Sequence, residues 1–384
     1  MIQALLAKSY KGVGAPAPRC ALLAEHCKDV VTVSRVLLSK VGLAALQKAG
    51  LSNTSLDDFR RAVLLAAWLH DLGKANDHFQ ELVSSGRDIT QMLRHEVVGV
   101  LVLMQVQPLW EWLEHAGRDV LTILLWAILG HHRKFDETTT HNKTIRLTAY
   151  CSHSDFFEIL AGAANELGES VPPRPDTDLV IGGARLDNGD IQASATLNAL
   201  KDQFDAWEVL FESAERRRLL ALTKAFLIAA DAAGSALGKL YSNTSEISND
   251  AADRLGVSLS PRDIDRLIED WVWRQSADDS ARQISALPCD FSYRPFQLSV
   301  AASNSYVTLA EAGCGSGKSL SAYLWAKKWA ELAETKGEVF QLFFCLPTTG
   351  TTTEHFKDYA LECGIDAQLC HSRASVDLSF MVGD

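Results

Sequence analysis

The sequence predicts a multidomain chain of α and α/β class. An all-α bundle is expected over residues 1–242, a linker over 243–287, and the opening part of a parallel α/β lobe over 288–384. Three observations carry this expectation. Before residue 242, each His or Asp with chemical promise falls on or beside a segment with helical apolar spacing. Residues 243–287 turn polar and acidic, with many Ser, Asn and Asp. After Pro288, strand-like runs alternate with helix, and a Gly-rich loop separates a strand from a long helix.

The elements follow in order. Residues 1–19 read as an irregular lead-in containing Gly12, Gly14, Pro16 and Pro18, and Pro18 suits the first turn of a helix. A helical pattern runs from Arg19 to about Leu46 and holds His26 in its second turn. Residues 51–55 read as a turn, and Ser55-Leu56-Asp57-Asp58 resembles a capping box opening the next helix. That helix passes Leu64, Leu65 and Trp68 to reach His70-Asp71, and Gly73 ends it. A third helix carries Arg94-His95-Glu96 into Val97–Leu101. A fourth, Val120 to Leu129, is apolar nearly all round, which predicts burial; it stops at Gly130, directly before His131-His132.

Residues 165–195 are rich in Gly, Pro and Asp and read as a long loop. Helix is expected again near Leu197 and from Ala214 to Leu240, where Asp231 lies. The linker contains a short amphipathic piece from Ile264 to Trp273. Beyond it, Tyr306–Ala310 reads as a strand and Ser319–Ala333 as a helix. Val339–Leu346 reads as a buried parallel strand.

Composition narrows the function classes. A chain of 384 residues is long enough for two ordinary domains. The net charge of −11 counts against a dedicated DNA-binding domain. Short basic runs (Arg133-Lys134, Arg216-Arg217-Arg218, Lys327-Lys328) read as solvated helix faces. The eight cysteines form no C-x-x-C pair, which argues against a zinc ribbon or disulfide framework and fits a reducing, cytoplasmic setting. No apolar run reads as long and charge-free enough to cross a bilayer, and no secretory signal opens the chain.

Ala312-Gly313-Cys314-Gly315-Ser316-Gly317-Lys318-Ser319 lies between the expected strand and helix, the context a phosphate-binding Walker A loop requires. Small residues such as Gly313, Gly315, Ser316 and Gly317 let the backbone turn its amides toward phosphates, at the positive end of the helix. Lys318 would meet the β- and γ-phosphates of ATP, and Ser319 would hold Mg²⁺. Ala312 departs from the strict pattern, which has Gly there. Upstream, Tyr293-Arg294-Pro295-Phe296-Gln297 stands where helicases often place a Gln that reads the adenine edge. Downstream, Phe344–Gly350 ends in a Thr-rich loop suited to a nucleic-acid backbone.

The most informative stretch is Trp68-Leu69-His70-Asp71-Leu72-Gly73-Lys74. An imidazole and a carboxylate leave a helix end together, where both reach one metal ion. With His26, His95, His131, His132 and Asp231, the set holds five histidines and two aspartates, enough for two ions sharing a carboxylate. A lone helical His is more often a packed or surface residue, the reading kept for His78, His115, His141 and His153. The His131-His132 pair also fits a helix C-terminus for its dipole alone. Asp231 lies in an apolar stretch, where a carboxylate is costly unless paired or metal-bound. Imidazole-rich ligation favours Mn, Fe, Co or Ni over Mg. Lys74 is placed equally well to contact a scissile phosphate or to end the helix as a solvated charge.

In this order, these residues resemble the CRISPR-associated helicase-nuclease of type I interference systems. The resemblance rests on Ala7-Lys8-Ser9, Leu22–His26, His70–Lys74, His95, Gly130–His132 and Asp231 with Ser235. Gln297, the Walker A loop, Leu346-Pro347-Thr348 and Cys370–Ala374 continue it. It implies an HD nuclease domain that cuts single-stranded DNA, fused to a superfamily two helicase motor driven by ATP and moving 3′ to 5′. It implies recruitment to the displaced strand of an R-loop by the Cascade surveillance complex. His26, His70, Asp71, His95, His131, His132 and Asp231 would be the metal ligands, with Asp71 as the bridge. Arg133 stands where the family often has Gly. Residues 288–384 are expected to be an incomplete RecA-like lobe, without an Asp-Glu-x-His motif or a second lobe. Two other readings stay open: an HD phosphohydrolase acting on a nucleotide or small phosphoester, and a non-catalytic fragment that docks on the surveillance complex.

Overall fold

The computed structural model describes residues 4–10, 16–51, 56–85, 93–115, 118–132, 146–182, 202, 213–275, 287, 291–369, 374, 377–378 and 381. The chain divides into two compact units, Met1–Leu255 and Gly256–Asp384.

The first unit is a helical bundle. Helix α1 (Leu23–Leu37) passes through a π turn into α2 (Leu43–Lys48). Helix α3 spans Leu56–Leu69, followed by one 3-10 turn, Leu72–Lys74. Then come α4 (Asp77–Ser85), α5 (His95–Gln105), α6 (Gln107–His115) and α7 (Arg118–Leu129). Helix α8 (Ser154–Leu167) lies between two short strands, β1 (Arg146–Ala149) and β2 (Leu179–Gly182). Helices α9 (Ala214–Leu240) and α10 (Thr244–Gly256) complete the unit.

Packing explains the order. Helices α5 and α7 are apolar on nearly every face and sit in the core, as Val97–Leu103 and Leu124–Leu129 show. Helix α3 turns Phe59, Ala62, Val63 and Ala66 inward and packs against α1, α7, α8 and α9. Phe59 is fully buried and meets Phe226 of α9 edge to face at 4.9 Å; burying such a ring stabilises by about 1.5–3 kcal/mol. Helices α1 and α9 approach especially closely. A Cβ on Gly234 would lie 3.0 Å from the Val30 backbone, and one on Gly238 would lie 2.4 Å from Asp29 Oδ2. Two glycines one turn apart thus bring the His26 helix onto the Asp231 helix.

The second unit holds α11 (Pro261–Gln275), α12 (Pro295–Ala302), α13 (Lys318–Lys336) and α14 (Thr349–Phe356). Its core joins Ile264, Leu267, Ile268 and Val272 of α11 to Leu320, Tyr323, Ala326 and Ala330 of α13.

The structure departs from the sequence expectations in five ways. The bundle is not purely helical, because β1 and β2 pair antiparallel with Leu147 opposite Ile181 and Ala149 opposite Leu179. Residues 243–287, expected as a linker, contain α10 and α11. Ile247 and Ala251 of α10 join the first core, their apolar spacing masked by polar composition, while α11, which covers the amphipathic piece expected over Ile264–Trp273, builds the second. Tyr306–Ala310 and Val339–Leu346, expected as strands, form no strand ladder among the described residues. Val307, Leu309 and Phe343 there are 87%, 85% and 82% exposed; β propensity favours an extended chain, but pairing and burial make a strand. Helices α4, α6 and α8 were not anticipated. Finally, α9 is long and apolar enough to cross a membrane by length and composition, contrary to the expectation of no such segment. Its Leu227, Ala230 and Leu237 are instead buried in the bundle core. The Ser55 cap, the helix near Leu197, Arg133-Lys134, His141 and Cys370–Arg373 lie outside the described residues.

Candidate metal centre

Five elements of the first unit deliver the seven residues to one place. His26 lies in the first turn of α1 and Asp231 projects from α9. His70 and Asp71 follow α3, His95 opens α5, and His131-His132 follow α7. His26 Nε2 is 3.1 Å from Asp71 Oδ2 and 3.3 Å from Asp231 Oδ1. His70 Nε2 is 3.4 Å from Asp71 Oδ2 and 3.7 Å from Asp231 Oδ1. On the other side, His95 Nε2 is 3.2 Å from Asp71 Oδ1. Asp71 therefore turns one oxygen toward His26 and His70 and the other toward His95.

Three groups of potential ligand atoms lie within 4.8 Å of one another: Asp71, His95, His131 and His132; His26, His70 and Asp71; and His70, His131 and Asp231. Asp71 belongs to two of them. His70 Nε2, Asp71 Oδ1, His95 Nε2 and His131 Nε2 are all buried without a hydrogen-bond partner. Four orphaned polar atoms converging on one centre would be costly in a protein interior. Their chemistry, imidazole nitrogen and carboxylate oxygen, fits divalent transition-metal ions.

Local structure fixes the tautomers. His70 Nδ1 donates to Ala67 O at 2.9 Å, and His131 Nδ1 donates to Ile128 O at 2.6 Å. Each Nδ1 is thereby occupied and each Nε2 faces the centre, a common second tier of support for metal-ligating histidines. His95 has Glu96 at its back, with Nδ1 3.6 Å from Oε2. Glu96 is buried and bonded to Arg94. Its position directly beside His95 in the sequence was the available signal, and the sequence reading passed over it.

The charges are strongly coupled. Burial opposes the charged form of His70, but Asp71 and Asp231 outweigh it and push its pKa up to about 10. Burial also opposes ionised Asp71, yet His70, Lys74 and His26 hold it well below the usual carboxylate range. Asp231 is lowered likewise, with the contacts to His26 and His70 outweighing burial. His131 is pushed down to about 3 by burial and by the His70 charge. His132 is lowered by burial and by His95. Lys74 donates to Asp71 Oδ2 at 2.6 Å and lies 5.5 Å from the Phe79 ring centre. It braces the shared carboxylate and, with its side chain 13% exposed, is not the solvated helix-end charge that was one of its two expected roles.

Gly73 explains how the His-Asp turn meets α5. A Cβ there would lie 1.9 Å from His95 O and 2.3 Å from Gly99 N, both backbone atoms. Gly73→Ala is expected to destabilise the bundle by about 1–3 kcal/mol through overpacking and to push His95 away from Asp71. Urea unfolding and metal titration of the variant check both effects; an unchanged midpoint with unchanged affinity would contradict this account of the turn.

In the second unit, the Gly-rich loop leads into α13. Gly315 and Gly317 have φ of 70° and 83°, a region that favours glycine. Lys318, the first residue of α13, donates to Ala312 O at 2.9 Å and Gly313 O at 2.8 Å. Ser319 follows in the same turn, and Ser316 Oγ is buried without a partner. Gln297 sits against the loop: its Oε1 accepts from Arg294 N at 2.9 Å, and its Nε2 donates to Gly317 O at 3.2 Å. Its amide holds the loop and caps α12, a task that the adenine-reading expectation did not include.

A helical bundle that gathers five histidines and two aspartates around a shared carboxylate defines the HD class of metal-binding domain. The sequence family described as "Cas3, HD domain" matches residues 7–237. The chain is also 35% identical, over 97% of its length, to the "Putative CRISPR-associated nuclease/helicase Cas3" of Myxococcus xanthus (strain DK1622). It spans about half (46%) of that relative's length. No solved structure matches. The chain belongs to the Cas3 HD-domain family.

Proposed function

We propose that the first unit is a metal-dependent nuclease that cuts single-stranded DNA. The observation that carries this reading is the set of buried, unpartnered Nε2 and Oδ atoms of His70, Asp71, His95 and His131 in one centre. His26, His70, Asp71 and Asp231 would hold one divalent ion, and Asp71, His95, His131 and His132 a second. When bound, two such ions supply a nucleophile from water at neutral pH and stabilise charge on a phosphoryl oxygen. Asp71 spaces the two halves of the site, Lys74 steadies its carboxylate, and the Ala67 and Ile128 carbonyls aim the His70 and His131 rings. His132 is exposed, so the centre opens toward solvent on that side, as a polymeric substrate requires.

The second unit is proposed as part of a RecA-like motor lobe. Its Gly313–Ser319 loop would take the phosphates of ATP, with Lys318 leaving the loop carbonyls to meet them, Ser319 on Mg²⁺ and Gln297 at the adenine end. We further propose coupled 3′ to 5′ unwinding, recruitment to an R-loop by a Cascade-type complex, and a cytoplasmic setting, with the family match and a relative named as a CRISPR-associated nuclease/helicase in support.

The test is substrate choice. Metal-free protein is given Mn²⁺, Ni²⁺, Co²⁺ or Mg²⁺ without ATP and offered circular single-stranded DNA, duplex DNA and bis-p-nitrophenyl phosphate. Cutting of the single-stranded circle with a transition metal is expected. Turnover of the small ester alone would move the assignment to a small-phosphoester hydrolase. Lys318→Ala is expected to leave cutting of the free circle within about twofold, since only the ATP loop loses its cation; loss of cutting would show that the two units act as one.

A further inference from the structure

We infer that one face of α9 is a track for the backbone of a single-stranded nucleic acid, on which Arg217 and Lys224 each take a phosphate as the strand approaches the metal centre. The inference rests on the nuclease reading and deepens it by naming residues that hold the strand outside the metal ligands.

Helix geometry sets the track. Arg217, Lys224 and Asp231 stand at seven-residue intervals on α9. Seven residues complete two turns to within about 20°, so the three side chains share one face, about 10 Å apart along the axis. Exposure rises away from the centre: the Asp231 side chain is 17% exposed, Lys224 is half-buried and Arg217 is exposed. Ala221 and Ile228 lie between them on the same face, and both are exposed. The face therefore alternates cations with uncharged side chains, which suits a strand that alternates phosphates with sugars and bases.

Gly130 ties this face to the metal ligands. A Cβ on Gly130 would lie 2.9 Å from Lys224 Nζ and 3.3 Å from Lys224 Cε. The ammonium thus rests against the residue that leads into His131 and His132. His132 is the exposed member of the ligand cluster, so Lys224 stands toward the side on which the centre opens.

The cations of the track are uncompensated. Residues 216–230 contain Arg216, Arg217, Arg218 and Lys224 but no Asp or Glu, in a chain whose net charge is −11. Arg218 is used by the fold and donates to Ala49 O at 2.7 Å. Neither the Arg217 side chain nor that of Lys224 has a hydrogen-bond or ion-pair partner among the described residues. The C-terminal end of α7, whose dipole attracts a cation, holds Lys224 in place without using its donors. Arg217 has no such support, because the opening turn of α9 repels a cation. A phosphate seated there would be met by the guanidinium and by the positive end of the helix together. The field at the groove, rather than the total charge, governs strand binding.

The test uses the whole chain, metal-free, and fluorescein-labelled (dT)20, with anisotropy read across a NaCl series. Lys224→Gln and Arg217→Gln are each expected to weaken binding roughly two- to fivefold and to flatten the slope of log K against log salt by about 0.7, one single-strand phosphate contact. Lys224→Arg and Arg217→Lys keep the charge and should retain both slope and affinity. Circular dichroism and an unchanged number of bound Mn²⁺ ions show that the bundle and the centre are intact; should Lys224→Gln fail to fold, Arg217→Gln, at an exposed position, decides. Wild-type-like affinity in the Gln variants, or weaker binding with an unchanged slope, would overturn the track and leave the nuclease reading intact if the wild type binds and cuts DNA. A wild type that neither binds (dT)20 nor cuts single strands with any metal would overturn both.

Discussion

Asp71→Asn is expected to lower metal-dependent cutting by about 10³-fold or more while leaving the bundle folded. The substitution keeps the shape of the side chain and removes its charge. Asp71 is the residue whose two oxygens face the two halves of the cluster, 3.1 Å from His26 and 3.2 Å from His95. Losing the shared anion weakens both proposed ion positions at once. Loss of several kcal/mol of charge stabilisation, at about 1.4 kcal/mol per factor of ten, sets the expected scale. Circular dichroism should be unchanged, because the core around α3 is apolar and does not depend on the carboxylate. Metal content by elemental analysis should fall by at least one ion. A variant that cuts at the wild-type rate, or that binds the same number of ions, would sink the bridging assignment.

The second large effect is a flattening of the pH dependence above neutrality on metal loading. In the metal-free protein His70 has its pKa raised from 6.5 to about 10. Its imidazolium therefore adds stability that is fully present below pH 6.5 and is lost as pH rises toward 10. Asp71 and Asp231 are lowered from 3.8, so their contribution is present above pH 3.8 and is lost as pH falls. His131 and His132 are lowered from 6.5, so their contribution is present above pH 6.5 and is lost as pH falls; the metal-free bundle should therefore be most stable near pH 6.5. Metal binding needs neutral histidine and so expels the His70 proton. Affinity for Mn²⁺ should then rise about tenfold per pH unit through neutrality, which offsets the loss in the metal-free protein, so the loaded protein should hold its stability nearly level over the range in which the metal-free protein loses it. Thermal melts from pH 5 to 9, with and without Mn²⁺, check this. Parallel curves would contradict the charge state assigned to His70.

Much of the site was legible in the sequence because metal ligation needs particular residue types. His70-Asp71 at a helix end, His131-His132 after an apolar helix and Asp231 in an apolar stretch are each difficult to explain by packing alone. The structure brings all seven candidate ligands together. The supports were harder to read. Gln80, Glu96 and the carbonyls of Ala67 and Ile128 act through tertiary contacts that no local pattern announces. Gly234 and Gly238 carried a signal, small residues one turn apart, but its meaning depended on which helix lay opposite. Helix α10 was missed because polar composition hid a few well-spaced apolar residues, while α11 was legible only as a short amphipathic piece of a linker. The strand expectations at Tyr306–Ala310 and Val339–Leu346 rested on propensity, which says nothing about a partner strand.

The most direct measurement is the rate of cutting of circular single-stranded DNA against equivalents of Mn²⁺ added to metal-free protein, without ATP. The account predicts a rate that climbs to a plateau at two equivalents and is absent in Asp71→Asn at every point. A plateau at one equivalent, cutting that is indifferent to metal, or full activity in Asp71→Asn would contradict a two-ion centre built on the shared carboxylate.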